Sequence, residues 1–213
     1  MEIRAYSDEY LPLAQRVLGD ALDFAVNTLE MDPDRFMTMF SVSGIAIQFG
    51  RGNPSYVAGI TGCELVRKVL HKSGEEEPDI PDVMYTDKSP EYWAGWILAF
   101  YQWYTDQPFD RILRAIPLSA IISMYPVYHE MDPVKFVEAA DMKMQEYYPE
   151  SKLKERRRIS GLSQSELSLR SGVPLRQIQL FEQRQRDINK TQAMTLYKLG
   201  KALDCKMESL LER

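Results

Sequence analysis

Arg176 and Gln179 are the residues of this chain whose chemistry and spacing say most. Three positions apart on a helix, they project from one face. A guanidinium there suits the O6/N7 edge of guanine and a carboxamide suits the N6/N7 edge of adenine. Each such pair is worth about 1–3 kcal/mol of discrimination against a wrong base. Leu175 can pack on a thymine methyl, and Gln177 and Leu180 complete the outward set. Such a row reads a duplex only if its helix lies in the major groove. The neighbouring sequence must therefore supply a second helix and a tight turn to hold it there.

Residues 163–182 have that pattern. Ser163 and Glu166 form a capping box that starts a short helix through Arg170. Gly172 follows at its end, where the left-handed backbone is cheap only for glycine. A second helix is predicted from Leu175 to Gln183, with Leu167, Val173, Ile178 and Phe181 facing inward. Ser168 supplies the small side chain that a close helix crossing requires.

From Lys152 to Leu211 the sequence resembles the DNA-binding domain of the lambdoid phage repressors and Cro, and LSQSELSLRSGVPLRQIQLFEQ carries the resemblance. It implies a five-helix domain whose second motif helix enters the major groove. By resemblance, Gln164 contacts a backbone phosphate and orients the reader, while Arg184, Arg186 and Lys190 hold the second phosphate strand. The family's brace between the first helix and the end of the reading helix maps onto Arg157 and Glu182. Four positions depart from the pattern. Ser168 stands for the usual alanine, Pro174 for a capping serine or threonine, and Arg184 for a glycine. The usual loop proline is replaced within Asp187-Ile188-Asn189, in a loop that is also longer.

Charge marks the same segment. The chain has a formal net charge of −5, but it is unevenly spread. Residues 1–150 carry 12 Lys+Arg against 24 Asp+Glu, and residues 151–213 carry 14 against 7. A basic segment at +7 tethered to an acidic one at −12 predicts that a polyanion meets only the C-terminal part. The boundary is expected at Pro149-Glu150-Ser151, which gives domains of 1–148 and 149–213. Cys63 and Cys205 have no CxxC partner and read as free thiols of a cytoplasmic protein. No secretory leader or membrane span is read from the sequence.

The first 150 residues read as helix, so the fold class is all-α. Leu11, Ala14, Leu18, Ala21, Leu22, Ala25 and Leu29 recur on one helical face. Asp32-Pro33 starts a helix predicted to run through Phe36, Phe40 and Ile47 to Gly50, with a short strand at 45–49 as the alternative. Thr61 and Glu64 form a second capping box, and residues 72–82 are an exposed acidic loop. Ser89-Pro90 starts the most apolar helix, with Trp93, Trp96, Ile97, Phe100, Tyr101, Trp103 and Tyr104. It is apolar almost all round and so should be central. Further helices are predicted at 109–115, 117–128 and 133–147.

No catalytic constellation is visible, so an enzyme is not expected, and no metal or cofactor is implied. His71 and His129 lack ligand-spaced neighbours, and Gly50-x-Gly52-Asn53-Pro54 is a turn and not a phosphate cradle. The segments FSVSGIAIQFGRGNPSYVAGITGCEL and EYWAGWILAFYQWYTDQPF are similar to N-terminal parts of helix-turn-helix proteins encoded by bacteria such as Clostridia. Some of those sit beside small genes suspected of encoding toxins. The resemblance implies a partner-binding domain; the alternative is a sensor whose aromatic helices take a small ligand. The expected whole is a homodimeric repressor on a palindromic double-stranded operator, whose acidic half binds a partner such as a toxin.

Overall fold

The computed structural model describes residues 4–76, 79–83 and 85–212, and among them every regular element is helical. The chain divides into two compact units between Tyr147 and Tyr148.

The first unit is built on two helices that touch backbone to backbone. Helix α1 (Leu11–Asp23) continues as a π-helical turn over Phe24–Thr28, and α6 (Pro90–Thr105) packs along it. A Cβ on Gly95 would lie 2.5 Å from the Leu18 carbonyl oxygen, and one on Gly19 would lie 2.8 Å from the Tyr92 ring. Only glycine lets the two axes approach this closely. Helix α6 buries Trp93, Ile97, Leu98, Tyr101 and Trp103, in keeping with its nearly all-round apolar sequence. Trp96, Phe100 and Tyr104 are half-buried and stack in a row along one side.

Around this pair lie α2 (Pro33–Val42), α3 (Ile45–Gly50), α4 (Pro54–Val57), α5 (Gly62–Lys72), α7 (Phe109–Ala115), α8 (Leu118–Ser123), α9 (Tyr125–Tyr128) and α10 (Pro133–Tyr147). Starts are set by local chemistry. Asp32 accepts from the Arg35 N–H at 2.7 Å, Ser89 from Tyr92 at 3.0 Å, and the Thr61/Glu64 box closes in both directions. The rings of Phe40, Phe49 and Phe109 meet edge to face at 5.3–5.9 Å and join α2, α3 and α7.

Two predicted helices are each broken in two. The helix from Pro33 to Gly50 stops at Val42, because Gly44 turns left-handed at φ 76° and the Ser43 hydroxyl receives the Ile45 N–H. Residues 45–49 resume as helix, so the strand alternative fails. The break also rotates Ile47 outward, and it is 55% exposed. The helix predicted over 117–128 divides at Met124, because Pro126 has no N–H to donate and fits only a first turn.

The second unit contains α11 (Lys152–Ile159), α12 (Gln164–Ser171), α13 (Leu175–Glu182) and α14 (Ala193–Ala202), with 3-10 turns at Ile188–Lys190 and Met207–Leu210. The final predicted helix is thus a single 3-10 turn. Leu153, Leu162, Leu167, Val173, Ile178, Phe181, Ile188, Leu196, Leu199, Leu203 and Leu210 form its core. Ile188 is the anchor that lets the long loop after α13 fold back onto the unit.

Candidate nucleic-acid interface

The α12–α13 pair is assembled from short-range parts. Ser163 accepts from the Glu166 N–H at 3.1 Å, and Glu166 accepts from the Ser163 N–H at 2.7 Å. The Ser163 N–H bond is the main cause of a lowered Glu166 pKa. Gly172 ends α12 at φ 66°. The Ser168 hydroxyl donates to the Val173 carbonyl at 2.7 Å, so a hydroxyl and not only small size stitches the turn. Pro174 then starts α13 with no side-chain cap.

The far end of α13 is fixed by an ion pair between the buried Glu182 and the half-buried Arg157. Arg157 on α11 donates from Nε to Glu182 Oε1 at 2.6 Å and from Nη2 to Oε2 at 2.9 Å, and its Nη1 donates to the Leu162 carbonyl at 2.7 Å. Glu182 is only 7% exposed. Its hydrogen bonds push the Arg157 pKa further up. Gln164 donates its amide to Glu182 Oε2 at 2.8 Å. The residue assigned by resemblance to a phosphate is therefore part of the brace, with its remaining carboxamide groups at a half-exposed position.

Because Ile178, Phe181 and Glu182 face the core, the opposite side of α13 faces outward. Arg176 is exposed, Gln177, Gln179 and Leu180 are half-exposed, and Leu175 is 37% exposed. Gln183, one position past the helix, is also exposed and falls on the Arg176 face seven residues on. It was not in the outward set read from the sequence, although the predicted helix reached it; the i+7 spacing from Arg176 was the available signal. Gln177 lies to the side of this face.

The three loop cations differ in surroundings. Arg186 is exposed, with its guanidinium 5.8 Å from the Phe181 ring centroid. Lys190 is 85% exposed and 3.5 Å from Asp187. Arg184 is also exposed, but its guanidinium lies along its own unit and donates to the Pro149, Tyr148 and Glu150 carbonyls at 3.2, 3.4 and 3.2 Å. Of the α11 arginines, Arg158 is tied to Glu150 at 3.0 Å. Hydrogen bonds from Lys154 and Arg158 lower the Glu150 pKa.

In the first unit, His129 donates from Nδ1 to the Tyr125 carbonyl at 2.9 Å and stacks on the Tyr125 ring. Burial pushes both thiols up: Cys63 also lies near Asp82, and Cys205 near Arg156. Neither is set up as a nucleophile. Among the described residues no three His, Cys, Asp or Glu are placed to hold a metal ion, and no helix is long and apolar enough to cross a membrane. A furrow of about 630 Å³ opens beside Val42, Ile47, Phe109 and Gln102, and an aromatic one of about 300 Å³ beside Trp93, Trp96 and Tyr125.

Comparison with known proteins finds no family model, no curated protein and no solved structure that matches the chain.

Proposed function

We propose that this chain is a sequence-specific double-stranded DNA-binding regulator of transcription. In this reading the second unit is a Cro/repressor-type helix-turn-helix domain with α13 as its reading helix. The observation that carries it is the outward row of exposed Arg176, half-exposed Gln179 and exposed Gln183 along α13 and its cap, braced from behind by Arg157, Glu182 and Gln164. Among the described residues Arg176 has no ion pair, so its guanidinium is free to meet a base edge. The +7 balance of residues 151–213 supplies sequence-independent attraction.

One short helix spans about 4–5 base pairs, so a usable operator needs two heads. This favours a homodimer repressing from a palindromic site in the cytoplasm. The acidic first unit would be repelled by phosphates and faces a protein partner instead; a basic toxin neutralised by an antitoxin fits its charge.

Selection of the full chain against a random duplex pool tests the reading. Arg176→Ala is expected to flatten the preference at one position by about 1–3 kcal/mol. Lys190→Ala is expected to weaken all duplexes alike and lower the salt slope by about one. Failure to retain any duplex at low ionic strength, or indistinguishable effects of the two substitutions, overturns it.

A further inference from the structure

Arg184 occupies a position where a side chain is a backbone liability. It is the residue just past the α13 cap, left-handed at φ 54°, closing the helix with its N–H on the Phe181 carbonyl. Glycine adopts that conformation at no steric cost, whereas another residue gives up about 1 kcal/mol or more. The arginine is therefore to be explained by what its guanidinium holds.

That group donates to three successive carbonyls, Tyr148, Pro149 and Glu150, and lies 3.5 Å from the Glu212 carboxylate. Glu212 in turn accepts the Lys152 N–H at 2.5 Å, and its backbone N–H donates to Asn189 at 2.9 Å. The Asn189 amide donates back to the Glu212 carbonyl. One side chain thus joins the incoming chain, the last residues of the unit and the loop that follows α13. A guanidinium has five N–H donors, and four acceptors already surround this one. Its two Nη atoms are engaged with these acceptors, which turns the guanidinium towards residues 148–150 and leaves only the Nε–H and one Nη1–H for anything else.

We propose that Arg184 is a positioning residue, a clasp that pins residues 148–150 against the end of the reading helix, and is not a phosphate ligand. The entry point of the chain is thereby held beside the 183–190 loop, which carries Arg186 and Lys190. Arg184 joins residues 148–150 to that loop directly, beside the indirect connection from Lys152 through Glu212 to Asn189. The statement about phosphate rests on the DNA-binding reading, whereas the clasp itself does not.

Hydrogen exchange on the full chain separates the two. In Arg184→Gly, which removes the guanidinium and relieves the left-handed backbone, the second unit should melt no earlier than in the wild type. Its linker amides, Lys152 included, should exchange about tenfold faster. Arg184→Ala should match it in exchange but melt earlier, and Arg184→Lys should restore only part of the protection, because one ammonium cannot span three carbonyls. The salt slope of duplex binding should be unchanged in all three. Unaltered linker exchange in Arg184→Gly overturns the clasp, and a slope lowered by about one in that variant returns Arg184 to the phosphates. If no duplex binds at all, the DNA-binding reading fails and the exchange result still decides the clasp.

Discussion

The two units bury carboxylates in different company. In the second, Glu182 receives two donors from Arg157 and one from Gln164, so an ion taken out of water is matched by a cation and a dipole. In the first, Asp23 takes Asn27 and Ser89 on Oδ1 at 2.8 and 2.7 Å, while its buried Oδ2 has no hydrogen-bond partner. Asp141 is held by the Tyr101 hydroxyl at 2.7 Å, with no cation in the bond. Paired charge fixes direction, because a forked guanidinium accepts a carboxylate in few geometries. The unit proposed to read DNA spends its buried charge on aiming one helix. The other unit relies on glycine contacts and aromatic edges to hold its core; its buried Asp20 does meet a cation, Lys88 at 2.9 Å, but one that is itself 41% exposed.

The largest expected effect breaks this contrast at its centre. Glu182→Ala leaves Arg157 desolvated without its partner and should cost about 3–5 kcal/mol in the denaturant transition of the second unit. Replacing both members by apolar residues, Arg157→Met with Glu182→Leu, should recover most of that loss. A single substitution costing under about 1 kcal/mol would show that the pair is not a brace.

Next in size is Gly95→Ala. Its methyl would meet the Leu18 carbonyl, and overpacking against backbone costs about 1–3 kcal/mol or more. Only the first unit's transition should move; a shift of both would mean that the units do not unfold independently.

The smallest effect concerns pH. Burial raises the Asp141 pKa, outweighing the Tyr101 hydrogen bond that lowers it. The folded state therefore holds this proton more tightly than the unfolded chain. Stability from this group is full below the ordinary aspartate value and falls as pH rises through the raised one. Asp141→Asn should remove that fall from the first unit's stability profile measured across mildly acidic pH, and an unchanged profile would show that Asp141 does not titrate there.

Helix starts were legible wherever a cap acts over three residues. Ser163 with Glu166, Thr61 with Glu64, Asp32-Pro33 and Ser89-Pro90 each begin a helix by bonds wholly inside the signal. The breaks at Gly44 and Met124 were not read, because apolar spacing continues through them; Gly44 and Pro126 were the local signals that mark them. The Arg176 and Gln179 face could be drawn from helical period alone, since knowing which residues are buried fixes which are not. Gln183 follows the same period, seven residues after Arg176, but sits at the helix cap and was not placed in the outward set.

Sequence alone determined the all-helical class, the capped helix starts, the charge division between 1–150 and 151–213, and the Arg176–Gln179 face of α13, all of which follow from period, composition and neighbours within a few residues. Tertiary structure alone decided the fate of the loop cations. Arg184, Arg186 and Lys190 look alike in one dimension, yet only Arg184 has three linker carbonyls within reach. Those acceptors are more than thirty residues away along the chain, and no local rule connects positions that far apart. A guanidinium goes to whichever acceptors the fold brings to it, and folding brought these.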